Sequence, residues 1–103
     1  MADYFLVKHV PGPAWNYSRR RREQAGWDEH AAFMDALTAE GVIVLGGPVG
    51  TDDGDYALLV MAAEDETALR RRLAADPWAD GVVTIESVEA WAVWLGAERL
   101  TEG

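Results

Sequence analysis

Short apolar runs alternate with amphipathic stretches along this chain in a regular order. Tyr4-Phe5-Leu6-Val7-Lys8-His9-Val10 is β-prone and almost continuously apolar, and it stops at Pro11-Gly12-Pro13. Such a cluster cannot continue a strand interior, so a first strand is predicted over residues 3–10, central in its sheet. From Ser18, a candidate helix N-cap, to about Glu40 the period changes. Trp27, His30, Ala31, Met34 and Leu37 recur at three- and four-residue spacing, with Phe33 at the edge of the stripe. That is the pattern of an amphipathic helix, and Gly41 is placed to end it. Gly26 interrupts the stretch, which leaves Arg19–Ala25 as a separate turn or short helix.

Val42-Ile43-Val44-Leu45 predicts a second strand running into Gly46-Gly47-Pro48. Thr51-Asp52-Asp53-Gly54 predicts a turn, with Asp53-Gly54 as its hairpin dipeptide, leading into a third strand over Asp55–Met61. Glu64-Asp65-Glu66 puts negative charge where a helix macrodipole favours it, at the start of a second helix. Leu69 and Leu73 are that helix's buried positions, Arg70, Arg71 and Arg72 lie near its end, and Asp76-Pro77 closes it. Residues 82–95 read as one long final strand, with a bulge or bend near Ser87–Ala90 where Glu89 breaks the apolar parity.

The order β-α-β-β-α-β predicts an α+β, ferredoxin-like fold: one four-stranded antiparallel sheet with two helices on one face. Residues 1–96 form a single domain on this reading, and residues 97–103 a C-terminal tail. Two helices cover only one face of the sheet, yet the strands carry apolar residues of both parities. A bare apolar face is a liability for a monomer, so a homodimer packed sheet to sheet is expected, with Trp91 and Trp94 at the interface or in a pocket.

Composition narrows the function. Half of the 103 residues are hydrophobic, enough for a folded core. There is no cysteine, which excludes disulfides and thiolate chemistry and fits a cytoplasmic location. No apolar run approaches the ~20 residues of a membrane span and no signal-peptide pattern opens the sequence, so no membrane association is expected. A net charge of −9 argues against nucleic acid as a partner. The run Arg19-Arg20-Arg21-Arg22 cuts against that balance. It reads either as a contact for an anionic ligand or as a solvated turn.

His30 is the sharpest chemical candidate. A histidine on a core-facing stripe needs a buried partner, and it titrates in the range useful for general acid/base catalysis. Asp28 and Glu29 point elsewhere on a helix, whereas Asp76, at the end of the second helix, is on the same side of the sheet. An aspartate bonded to one ring nitrogen fixes the tautomer and raises the basicity of the imidazole. The alternative is a structural histidine bonded to a backbone carbonyl, with Asp76-Pro77 merely building a turn and Trp78 filling a gap. Gly46-Gly47-Pro48 either shapes a ligand pocket or permits tight packing; it lacks the Gly-Lys-Ser/Thr element of a phosphate loop. The five tryptophans suit a pocket for a flat ligand as well as a core or dimer interface. His9 and His30 lie in different settings without metal-ligand spacing, so neither a metal nor another cofactor is expected.

Several pieces together carry a family likeness. They are Arg22-Glu23-Gln24, Trp27-Asp28-Glu29-His30-Ala31-Ala32-Phe33-Met34-Asp35-Ala36-Leu37, Gly41, Gly46-Gly47-Pro48, Asp76-Pro77-Trp78 and Glu89-Ala90-Trp91. In this order and spacing the chain resembles the YCII-related (YciI-like) family from about Tyr4 to Leu95. The resemblance implies a dimeric α+β barrel, and an active site in which a first-helix histidine pairs with the aspartate of the Asp-Pro motif, here His30 and Asp76. Some relatives are linked to breakdown of chlorinated aromatic compounds, and the wider superfamily includes muconolactone isomerases and small monooxygenases. Relatives often have Pro-Trp or Pro-Tyr near the final strand, where this chain has Ala90-Trp91.

Two functions follow as expectations. The first is a cofactor-independent enzyme in which His30 moves a proton on a ring-derived substrate, in an isomerisation or elimination. Asp76 would orient His30, and Trp27, Gly46, Gly47, Pro48, Trp78 and Arg22 would contact the small molecule. The second is a non-catalytic dimeric ligand-binding or accessory module in which His30 and Asp76 form a structural bond.

Overall fold

The computed structural model describes residues 3–54 and 56–100. Four strands form one antiparallel sheet: β1 (Asp3–Pro11), β2 (Ile43–Pro48), β3 (Ala57–Ala63) and β4 (Val83–Ala90), in the order β2-β3-β1-β4. Helix α1 (Trp27–Ala39) follows β1 and helix α2 (Glu66–Leu73) follows β3. This is the predicted ferredoxin-like α+β plan, with β1 central.

Along β1, Phe5, Val7 and His9 are buried, whereas the intervening side chains are only partly covered. The first two join Leu59 and Met61 of β3, Ile43 of β2, Leu37 of α1, and Leu69 and Leu73 of α2 in the core. Period-2 alternation in the strands thus meets period-3.6 stripes on the helices along one face. The other face carries Leu6, Leu58 and Val60, and Leu6 pairs directly with Val60. No helix among the described residues is long and apolar enough to cross a membrane.

The structure corrects several local expectations. Ser18 does not cap α1; its N–H and hydroxyl both donate to Asn16 Oδ1, at 3.0 and 2.6 Å. As the break at Gly26 suggests, the stretch before α1 is separate from it, a loop around a short 3-10 turn, Arg21–Glu23. Buried Gln24 pins it, accepting from the Asn16 N–H (2.9 Å) and donating to the Asn16 carbonyl (2.8 Å). Gly26, at φ 78°, then admits the left-handed turn from which α1 starts. The β2–β3 connection is longer than a two-residue hairpin: β3 begins at Ala57, and Gly54 N–H bonds back to the Thr51 carbonyl. Asp55, expected to open the third strand, lies outside the described residues.

The final strand ends at Ala90, not at residue 95. Ala90 pairs with Phe5, and the Trp91 N–H still reaches the Tyr4 carbonyl at 2.9 Å. Among the described residues the ladder with β1 goes no further, although Tyr4 and Asp3 of β1 stay paired with Ala62 and Ala63 of β3. Trp94 and Leu95 are left 86% and 94% exposed. The irregularity in β4 lies at Glu86, the extra residue between Ile85 (opposite His9) and Ser87 (opposite Lys8), one position before the expected bend. Beyond it, residues 97–100 form a 3-10 turn, and the Tyr4 hydroxyl donates to the Leu100 carbonyl.

Candidate active site

The site is assembled where α1 meets the turn after α2. Asp76 precedes Pro77, which holds it in an extended conformation (φ −65°, ψ 129°), and its side chain caps the 3-10 turn Pro77–Asp80. Asp76 Oδ1 accepts the Trp78 backbone N–H at 2.9 Å. The same carboxyl faces His30: Nδ1 lies 2.8 Å from Oδ1 and 2.9 Å from Oδ2. An ionised Asp76 carboxyl can only accept, so against it Nδ1 is the donor and the neutral ring carries its lone pair on Nε2. Both residues are buried, at 7% and 4% exposure.

Trp78 is the floor of this arrangement. It is 1% exposed, and its indole lies parallel to the His30 ring, with centroids 3.9 Å apart and planes 7° from parallel. Its Nε1–H donates to the Ala25 carbonyl at 2.9 Å, just before Gly26 turns the chain into α1. Trp15 and Trp27 pack against the same indole. The His30 ring is therefore fixed by a stacking surface as well as by a carboxyl.

His30 also joins the wall of a cleft of about 550 Å³ between α1 and β2. Of the residues expected at a ligand, Arg22, Trp27, Gly46, Gly47 and Pro48 also line this cleft. Trp78 does not. It is sealed beneath His30, because its indole fills the space between the helix and the Asp-Pro turn. Among the described residues no group hydrogen-bonds His30 Nε2. The paired glycines divide their work: a Cβ at Gly46 would sit 2.5 Å from Leu59 Cδ2, whereas one at Gly47 would meet nothing within 4 Å. Gly46 is thus required for packing, and Gly47 leaves the cleft open.

Two residues at the site were not anticipated as such. Arg21 is buried, donates from Nη2 to the Gly54 carbonyl at 2.8 Å, lies over the Trp15 ring and lines the cleft. His9, 6% exposed, shares a second cavity of about 380 Å³ with Asp76 on the α2–β4 side. Burial lowers its pKa from 6.5 to about 4; the nearby Asp76 opposes that shift in part, while His30 and Arg21 add to it. The sign of the consequence is fixed. Between pH 6.5 and about 4 the unfolded chain holds a proton at His9 that the folded chain does not, so stability falls as pH falls through this window. The full loss is about 3 kcal/mol by the linkage relation. Urea unfolding at pH 7 and pH 4 is expected to show wild type losing about that much more than His9→Leu. Equal losses would contradict the assignment.

Among the described residues no group of three or more histidine, aspartate or glutamate side chains is arranged to hold a metal ion. The model of the YCII-related domain matches residues 4–92. The chain belongs to the YCII-related family. The fold agrees with that membership. The solved structure of 5-chloro-2-hydroxyhydroquinone dehydrochlorinase from Burkholderia phenoliruptrix AC1100, in complex with 2,5-dihydroxybenzoquinone, is similar over 92% of this chain and 97% of that one, with a TM-score of 0.56. At 22% identity the likeness is one of fold. No curated protein matches the chain.

Proposed function

We propose that this YCII-related protein is a small-molecule enzyme that works by proton transfer at His30, in an isomerisation or elimination on a ring-derived substrate. The carrying observation is the bond from His30 Nδ1 to Asp76, with the same ring lining an open cleft. Nε2 takes a proton from the substrate's carbon or hydroxyl and returns it to a neighbouring atom or leaving group. Asp76 holds the tautomer and stabilises the imidazolium as it forms. Proton transfer of this kind uses no cofactor. The family and the dehydrochlorinase of like fold support the reading, and they suggest chlorinated hydroxyquinols as first substrates.

The enzyme acts as a homodimer joined through the sheet face that carries the half-buried Leu6 and Leu58, with Trp94 and Leu95 providing further apolar surface. Light scattering is expected to give twice the chain mass of 11.3 kDa. A mass of one chain would refute the dimer. The activity itself is tested by incubating the protein with chlorinated and unchlorinated hydroxyquinols while following chloride release and quinone absorbance. Turnover that exceeds buffer and His30→Gln controls supports the proposal; identical rates in all three would contradict it for this substrate class.

A further inference from the structure

The arginine run separates in the fold. Arg19 donates to the Glu23 carbonyl (3.4 Å), and Arg20 lies 4.0 Å from Asp53 Oδ2, both on the surface. Arg21 and Arg22 instead line the cleft that holds His30. Arg22 is exposed, its guanidinium 5.9 Å from the Trp27 ring centroid, and among the described residues it makes no hydrogen bond or ion pair. Lys8, Arg70 and Arg72 pair with Glu86, Glu66 and Glu40, while among the described residues the Arg71 and Arg99 side chains are unpaired like that of Arg22; Arg22 differs from those two in lining the cleft.

The cleft is also polar along its length. Arg22, Trp27 and His30 stand at the N-terminal end of α1. Asp35, the acidic side chain in the lining, is five residues beyond His30, or about 7–8 Å further along the helix axis. Among the charges that line the cleft, the arginines thus stand at the His30 end and the carboxylate at the other, which favours an anionic group near Arg22. Trp27 supplies a flat apolar wall there, and a guanidinium over that ring presents its N–H edge to oxygen anions.

Resting on the reading of this cleft as the substrate site, we propose that it selects planar organic anions, such as carboxylates or ionised enols and phenols. Arg22 binds the oxygen anion, Arg21 adds positive potential, and Trp27 stacks on the plane. The ligand's reactive atoms are thereby turned toward His30 Nε2, and Arg22 is the group that favours charge developing on the bound oxygen.

Benzoate and its neutral counterpart benzamide test this, with the Trp27 indole and His30 ring resonances as reporters in NMR titrations. Wild type is expected to bind benzoate about tenfold or more tightly than benzamide, the value of a charge-assisted hydrogen bond. Arg22→Gln should erase that preference by weakening benzoate alone. Arg71→Gln, the same charge change on α2, should leave it. Equal affinity for the two probes, or an Arg22→Gln protein that still prefers benzoate tenfold, overturns the anion assignment while shifts at His30 uphold the cleft as a binding site. If neither probe moves the Trp27 or His30 signals, the anion proposal fails together with the cleft's role as substrate site.

Discussion

Replacement of His30 by glutamine is expected to reduce turnover by about 10²–10⁴-fold, the usual contribution of a positioned acid/base group, while leaving the protein folded. The glutamine amide is long enough to keep donating to Asp76, which otherwise loses its partner at 2.8 Å. It has no nitrogen able to take up a proton near neutral pH, so the bond survives and the chemistry does not. Initial rates at saturating substrate, beside circular dichroism of the same samples, check this. A folded His30→Gln protein with wild-type turnover would remove His30 from the mechanism.

The second large effect concerns Asp76, where two substitutions are expected to diverge. Asp76→Ala leaves the His30 Nδ1–H and the Trp78 N–H without their buried acceptor. Each unsatisfied group costs about 1–3 kcal/mol, so a loss of about 2–6 kcal/mol is expected in urea unfolding. Asp76→Asn keeps the shape and one carbonyl oxygen. That oxygen continues to accept from Trp78, and the amide NH₂ then faces His30. Nδ1 must become an acceptor, the ring hydrogen moves to Nε2, and the lone pair points away from the cleft. A small stability loss with a turnover loss comparable to His30→Gln is the signature of an orienting carboxyl. If Asp76→Asn lost only stability and kept turnover, the pair would be a structural bond, as in a non-catalytic module.

These two residues show how far a sequence of this kind can be read. Strand and helix order followed from periodicity because each element packs one face against a single core. His30 stood out because the other stripe residues from Trp27 to Leu37 are apolar, and the element order placed its helix beside the turn at Asp76. The two readings of Asp76, turn builder and histidine partner, turned out to be compatible, since one carboxyl caps Trp78 and receives His30. Trp78 was legible as a large buried residue. Its stacking beneath His30, which removes it from the cleft wall, depends on side-chain directions that spacing does not encode.

His9 had a usable signal that the near-continuous apolarity of β1 concealed. Phe5, Val7 and His9 share one parity, and that parity is the buried one. Arg21 had none, because four consecutive arginines look alike until Gln24 and Gly26 fix the loop that separates them. The end of β4 was misjudged for a related reason. Trp91, Val93 and Leu95 keep strand-like alternation, but a strand also needs backbone pairing, and the ladder with β1 ends at Ala90.

In the proposed enzyme Asp76 holds His30 with its lone pair on Nε2, toward the cleft. Nitrogen-15 NMR of histidine-labelled protein, at a pH where the ring is neutral, measures this directly. Wild type is expected to show a protonated, pyrrole-like Nδ1 and an unprotonated, pyridine-like Nε2, reversed in Asp76→Asn. A wild-type His30 with its hydrogen on Nε2 would contradict it.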